Sequence, residues 1–187
     1  MGTVHQPCPD CNSSDALQIN DDGSTYCHSC KKFTPSNQSD TKPADYIKGK
    51  VLKIQDRGLD KETCKKYSYT VSEFNGRKAH IATYRDLKGN IKWQKVRFLD
   101  NKEFFINKIS GKSPEPLLYG MNLFSGCNKK LTITEGEIDC LSVSQIFDNK
   151  YAVVSLPMGA GSAEKAIRHN IEWLNQFEER LLLMAMF

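Results

Sequence analysis

Lys129-Lys-Leu-Thr-Ile-Thr-Glu-Gly-Glu-Ile-Asp139 is a short apolar run that ends in three carboxylates, Glu135, Glu137 and Asp139. Its first half predicts a short buried strand over 129–134, and residues 138–147 predict a helix with Ile138, Leu141, Gln145 and Ile146 at helical spacing. A second strand follows at 151–156, then a glycine loop, Pro157-Met-Gly159-Ala-Gly161-Ser162. Ser162 is expected to cap a helix running to about Gln176, and residues 180–187 read as a third strand. Strand and helix in this alternating order imply a parallel sheet whose site lies at the carboxyl ends of its strands.

The acidic turn sits at such an end. Glu135 leaves the strand, Gly136 permits a tight turn, and Asp139 in the first helical turn can face back toward Glu135. Carboxylates gathered in an open site repel one another unless they share a cation, and Mg²⁺ is the oxygen-loving candidate. Mg²⁺ would organise phosphoryl transfer by neutralising phosphate charge. Glu137 is expected to point away. A plainer alternative is that these acids only complement a helix dipole. Gly159 and Gly161 could likewise cradle a phosphate at a helix N-terminus or form an ordinary strand-to-helix turn.

Upstream, charge is unevenly distributed. The 187 residues carry a net charge of only +4. Residues 1–41 carry −3, residues 42–112 carry +10 and residues 113–187 carry −3. A strongly basic middle suits a polyanion, although it also suits a solvated lysine-rich surface. Asp60 is a candidate N-cap for a short helix over 61–66. From Tyr67 to Ile106 the pattern is strand-like, with turns at Asn75-Gly76 and Lys88-Gly89-Asn90. In Ile91-Lys-Trp-Gln-Lys-Val-Arg97, period-two alternation places Trp93, Lys95 and Arg97 on one face. Such a face serves phosphates and bases, or simply covers a core.

The front of the chain is a four-cysteine module. Cys8-Pro-Asp-Cys11 and Cys27-His-Ser-Cys30 are separated by 15 residues. Two knuckles of this spacing arrange four thiolates around a structural Zn²⁺. A module this small would draw its folding energy from the metal. His28 is redundant as a ligand and reads as facing solvent or DNA. Tyr26 and Phe33 read as the small core of the ribbon, with base stacking as the alternative. Asp21-Asp22-Gly23-Ser24 reads as a hairpin tip. Residues 35–44, rich in polar and proline positions, read as a tether. Cys64, Cys127 and Cys140 lack metal spacing and read as neutral buried thiols. No run approaches the roughly 20 apolar residues of a membrane span. No signal peptide opens the chain, and seven cysteines, an odd number, point to reduced thiols in a cytosolic setting.

The order of parts resembles the primase half of phage primase–helicases, with the mitochondrial Twinkle helicase a more distant relative. The matching stretches include Asp22-Gly23 before Thr25-Tyr-Cys27, Arg57-Gly-Leu-Asp-Lys-Glu-Thr-Cys64, Tyr84-Arg-Asp86, Gln94-Lys-Val-Arg97, Thr134-Glu-Gly-Glu-Ile-Asp139 and Val153-Val-Ser-Leu156. The resemblance implies a DNA primase that copies single-stranded DNA into short RNA at a replication fork. In such an enzyme the 3′-hydroxyl of one ribonucleotide attacks the α-phosphate of the next, and pyrophosphate leaves. It implies a zinc ribbon at 1–34, a linker at 35–44, a basic β-rich subdomain at 45–125 and a Toprim parallel-sheet subdomain at 126–187. Glu135 and Asp139 would hold Mg²⁺, and Cys8, Cys11, Cys27 and Cys30 would hold Zn²⁺. Lys95 and Lys102 match basic positions that serve nucleotide and phosphate binding, with Arg97 a further candidate. Asp22, Ser24 and His28 fall where the ribbon reads its template, with Ser24 standing where relatives carry His.

Expected partners are the DNA template, ribonucleoside triphosphates, a fused replicative helicase and a DNA polymerase, in the cytoplasm of a bacterial host. A monomer is expected, since hexamers in this family assemble through the helicase half. The family pattern also calls for an Asp-x-Asp motif just beyond Phe187, so this stretch alone is expected to synthesise weakly or not at all. Alternatives are a non-catalytic template-binding fragment and a Toprim nuclease.

Overall fold

The computed structural model describes residues 3–20, 24–34, 43–74, 76–101, 103–109, 111, 113–124 and 129–183. Asp22 and Lys102, together with Cys127, Asn75 and most of the tether, lie outside the described residues. The chain divides into two compact units, Met1–Lys42 and Pro43–Phe187.

The first unit is a four-stranded antiparallel sheet of β1 (Thr3–Gln6), β2 (Leu17–Ile19), β3 (Thr25–Cys27) and β4 (Phe33–Thr34), in that order. Its buried positions include Cys8 and Cys27, whereas Phe33 is 57% exposed and Tyr26 half-buried. Phe33 is therefore not core. Tyr26 and Phe33 pair across β3 and β4 on the face opposite Cys27, so buried Cys27 lies inward and the rings face outward.

The second unit begins with a strap that pairs Lys50 with Val71 and closes a small loop between Ile54 and Leu59. Helix α1 (Lys61–Lys66) follows, capped by Asp60, whose carboxylate accepts from the Thr63 N–H at 2.6 Å. Four antiparallel strands then form a sheet, β5 (Tyr69–Phe74), β6 (Arg77–Arg85), β7 (Ile91–Phe98) and β8 (Phe104–Asn107), in meander order. A three-stranded parallel sheet closes the unit: β9 (Lys130–Thr134) is central, flanked by β10 (Ala152–Ser155) and β11 (Glu179–Leu183). Helix α2 (Glu137–Ile146) connects β9 to β10. This is the expected mixed architecture, a β ribbon followed by a β-rich part joined to a Toprim-like parallel sheet. One continuous core runs through both sheets and includes Tyr84, Trp93, Tyr119, Leu131, Leu141 and Val153.

Two local expectations changed. The helix after the glycine loop is broken into α3 (Ala163–His169) and α4 (Ile171–Leu174). At Asn170 the side-chain amide donates to the Ala166 carbonyl at 2.7 Å and to Pro116 O at 2.8 Å, an alternative to continuing the helix ladder. Ser162 does not cap α3. Its hydroxyl donates to Gly159 O at 2.8 Å and accepts from the Met158 N–H at 3.2 Å, tying the loop onto itself. On α2 the inward face is Glu137, Cys140, Leu141 and Ser144, while Ile146 is exposed.

Gly120 joins the two halves of the core. Its φ is +83°, and a Cβ there would lie 2.7 Å from Tyr67 Cε1. Tyr67 is itself fixed, its hydroxyl donating to Val153 O at 2.9 Å. Gly120→Ala is expected to cost about 2–4 kcal/mol through strain and overpacking. By contrast Gly58→Ala, with positive φ but open space, should cost only about 1 kcal/mol. Chemical denaturation of the two variants checks this, and equal losses would refute the packing argument.

Candidate functional site

The two knuckles of the ribbon are built alike. The residue after each second cysteine, Asn12 (φ 55°) and Lys31 (φ 61°), takes the left-handed conformation that turns the chain away. Lys32 pairs with Asp10, tying one knuckle to the other. The four sulfurs of Cys8, Cys11, Cys27 and Cys30 lie within 4.8 Å of one another, with Cys11 and Cys27 3.7 Å apart. A tetrahedral ion with metal–sulfur bonds of about 2.3 Å spaces its sulfurs about 3.8 Å apart. The set therefore fits a metal ion with little movement. The Cys30 backbone N–H, 3.5 Å from the Cys27 sulfur, holds that thiol down at about 6. The Cys30 thiol is drawn down by the Lys32 backbone but carried up to about 11 by the Cys27 sulfur and by burial. A cation among the four removes this mutual penalty.

One face of the ribbon carries a polar row. His28 Nε2 lies 3.1 Å from Gln18 Oε1, Gln18 donates to Asn20 Oδ1 at 2.8 Å, and Asn20 donates to Ser24 Oγ at 2.9 Å. Tyr26 meets the His28 ring edge-on at 5.0 Å. Ser24 is buried at the inner end of the row and His28 is exposed at the outer end.

In the second unit, the acidic turn lies where β9 ends. Glu135 is half-buried beside the glycine loop: a Cβ on Gly159 would lie 3.5 Å from its Oε1. Gly159 has φ +68° and ψ −170°, a conformation open only to glycine, so the loop can pass this close to the carboxylate. Gly161 touches nothing comparable. Asp139 is exposed and folds back over Gly136, whose Cβ would lie 3.1 Å from Asp139 Oδ2. Partial burial holds the Asp139 carboxyl above the usual carboxylate range, and the charges of Glu135 and Glu137 push the same way. Arg57 pulls it down. Arg57 reaches this neighbourhood because Gln145 on α2 clamps its turn, donating to Gly58 O at 2.8 Å and accepting from the Asp60 N–H at 2.7 Å.

Glu137 does not point away. It is the most deeply buried of the three acids, and Tyr84 on β6 donates to its Oε1 at 2.5 Å. Lys95 on β7 reaches the same carboxylate, with Nζ 2.9 Å from Oε1 and 3.3 Å from Oε2, and donates to Pro157 O at 3.0 Å. The basic strand and the acidic turn thus meet at one point. Tyr84 is held by a stack on Trp93, with centroids 3.6 Å apart, and burial keeps its phenol protonated. Arg97, two residues along β7, is exposed opposite His80 and Phe104.

The comparisons with known proteins follow the same parts. The family described as "Bacteriophage T7 DNA helicase/primase, N-terminal a+b fold" matches residues 49–108. The DNA helicase/primase of Enterobacteria phage T3 is 36% identical over 201 residues, covering 97% of this chain and 35% of that protein. The crystal structure of the primase fragment of the bacteriophage T7 primase–helicase matches all of this chain and 81% of its own, at 37% identity and a TM-score of 0.69. The chain belongs to the phage primase–helicase family. A second solved structure, also 37% identical with a TM-score of 0.69, shows bacteriophage T7 lagging-strand DNA polymerase interacting with primase domains of two gp4 subunits bound to an RNA/DNA hybrid and dTTP. The chain spans about a third of the length of the phage T3 member.

Proposed function

We propose that this chain is the priming part of a larger replication protein and makes short RNA primers on single-stranded DNA. One observation carries the reading: Lys95, from the basic sheet, enters the acidic turn that holds Glu135 and Asp139 at the carboxyl end of β9. The relatives' names and the order of parts support it.

In this reading Glu135 and Asp139 hold Mg²⁺, which would supply charge neutralisation at the reacting phosphates. Lys95 steadies nucleotide phosphates, Arg97 extends the basic face of β7 for template or nucleotide, and Lys102 is assigned phosphate binding from the sequence resemblance alone. Gly159 lets the loop lie against Glu135, and Gly161 leaves the loop open above it. The four cysteines hold Zn²⁺ and stiffen the polar face on which His28 meets template bases, and Asp22 is assigned to template reading from the sequence resemblance alone. Ser24 acts through Asn20, whose amide it accepts. A fused helicase and a lagging-strand DNA polymerase are the partners this activity would serve.

The test is a primer assay. Full-length protein is incubated with Mg²⁺, labelled ribonucleotides and a pool of single-stranded templates. Products of a few nucleotides, dependent on template sequence, are expected. Template binding with no product under any metal would sink the primase reading and leave a template-binding module.

A further inference from the structure

Glu137 lies between two residues assigned to Mg²⁺, yet its carboxylate faces the other way. Both oxygens are engaged from the basic sheet, Oε1 by Tyr84 and Lys95 and Oε2 by Lys95. The two charged side chains are only 13% and 11% exposed. We propose that Glu137 is the positioning residue for Lys95: its carboxylate, fixed by the Tyr84 hydroxyl, sets where the ammonium stands in the site. The consequence for catalysis rests on the primase reading; the pairing itself does not.

An ammonium has three hydrogens to donate. Glu137 Oε2 and Pro157 O accept two at 3.3 and 3.0 Å, with Oε1 in ion-pair contact at 2.9 Å and the Phe104 ring 4.9 Å from Nζ, which leaves one hydrogen for a phosphate oxygen. The four-carbon stem of lysine is otherwise free to sample many rotamers, so an unanchored Lys95 would spend most of its time elsewhere. The anchors come from three places in the fold. Glu137 opens α2, Pro157 follows β10, and Tyr84 stands on β6 against Trp93. Lys95 would thus hold its place before substrate arrives, the condition for a charge to favour the transition state over bulk water.

A mere latch between two sheets predicts something different. Loss of a latch lowers stability and leaves turnover per folded molecule intact. Loss of a positioning group lowers kcat while nucleotide KM and the Mg²⁺ requirement stay put. Four variants of the full-length protein separate these: Glu137→Gln, Tyr84→Phe, Lys95→Ala, and the double variant Lys95→Ala with Glu137→Gln. Glu137→Gln keeps the shape of the side chain and removes its charge. Tyr84→Phe keeps the stack on Trp93 and removes only the hydroxyl.

Glu137→Gln should lower kcat about tenfold or more, with KM for ribonucleotide and the Mg²⁺ concentration for half-activity changed less than about twofold. Tyr84→Phe should act in the same direction, more weakly. The double variant should be no worse than Lys95→Ala alone, because Glu137 acts only through Lys95. A raised Mg²⁺ requirement, or losses that multiply in the double variant, would make Glu137 a metal ligand or an independent group and overturn the proposal. Near-wild-type turnover in Glu137→Gln would overturn it too.

A second readout needs no synthesis. Brief acetylation of lysines, read by mass spectrometry, should find Lys95 protected in the parent protein and reactive in Glu137→Gln. Equal protection in both would refute the pairing. If the parent protein makes no primer while this contrast holds, the primase reading fails and the pairing stands.

Discussion

Removing the Zn²⁺ proposed for the ribbon is expected to unfold it and to leave the second unit folded. The first unit is small, and its strands are two to four residues long. Its buried hydrophobic positions include Cys8 and Cys27, while Phe33 is well exposed and Ile19 is at the surface. A chain this short cannot offset the entropy of ordering by burying apolar area. Four thiolates within 4.8 Å of one another would repel unless a cation sits among them or protons return to the sulfurs. Structural zinc supplies on the order of 10–16 kcal/mol to such modules, which exceeds any stability the ribbon could have by itself. With the proposed Zn²⁺ held by all four cysteines, Cys27→Ser should therefore lower bound zinc from one ion per chain to none. Backbone amide exchange should lose protection across residues 3–34 and keep it across β5 to β10. The midpoint of thermal unfolding of the second unit should move by less than about 2 °C, since its core does not use the ribbon's residues. Protected ribbon amides in metal-free protein would refute the dependence.

The contrast between the two parts explains what could be read from the sequence. Spacing rules act locally, and the local features came through. The paired Cys-x2-Cys knuckles converge, Asp60 caps α1, and the turn at Gly136 puts Glu135 at a strand end with Asp139 folded back over it. Alternation on β7 placed Trp93, Lys95 and Arg97 on one face, but it could not say which of them is covered. Trp93 is buried, Lys95 half-buried and Arg97 exposed, because the parallel sheet and its loops overlie only part of that face.

The misreadings have long-range causes. Glu137 was expected to point outward on the strength of its neighbours. Its direction is set by Tyr84 and Lys95, 53 and 42 residues away, and no periodicity carries that information. Arg57 was visible only as part of a matched stretch, and its approach to Asp139 depends on the Gln145 clamp 87 residues from Gly58. The break at Asn170 is local in sequence but hinges on Pro116 as a distant acceptor for its amide. Phe33 reads as core beside its knuckle, yet the inward positions belong to Cys8 and Cys27 and the Phe33 ring stays outside.

Glu135→Gln is expected to abolish primer synthesis while leaving fold and template binding intact. The substitution keeps the shape of the side chain and removes its charge. Nothing in the surroundings depends on that charge for packing: the carboxylate lies beside Gly159, and its strand is held by Leu131 and Ile133 in the core. Stability should change by less than about 1 kcal/mol, as for a partly exposed polar site. The chemistry should respond far more. In the proposed site, with one of the two acids gone, Asp139 alone would hold Mg²⁺, without the neighbouring charge of Glu135 that also acts on its carboxyl. Removal of one group that stabilises developing charge costs about 10²–10³ in rate where a single hydrogen-bond donor is lost. A metal carboxylate should cost at least as much, and adding Mg²⁺ should recover only part of it. Rates measured across a Mg²⁺ titration, with DNA binding measured in parallel, check both halves of the expectation. Synthesis within about tenfold of the parent would remove Glu135 from the metal site. Lost DNA binding would mean that the residue holds the fold. Comparison with Glu137→Gln is the sharper control. The two acids are two residues apart, and partial rescue by Mg²⁺ in Glu135→Gln with an unchanged Mg²⁺ requirement in Glu137→Gln would show that one turn serves two purposes, with Glu135 turned toward metal and Glu137 toward Lys95.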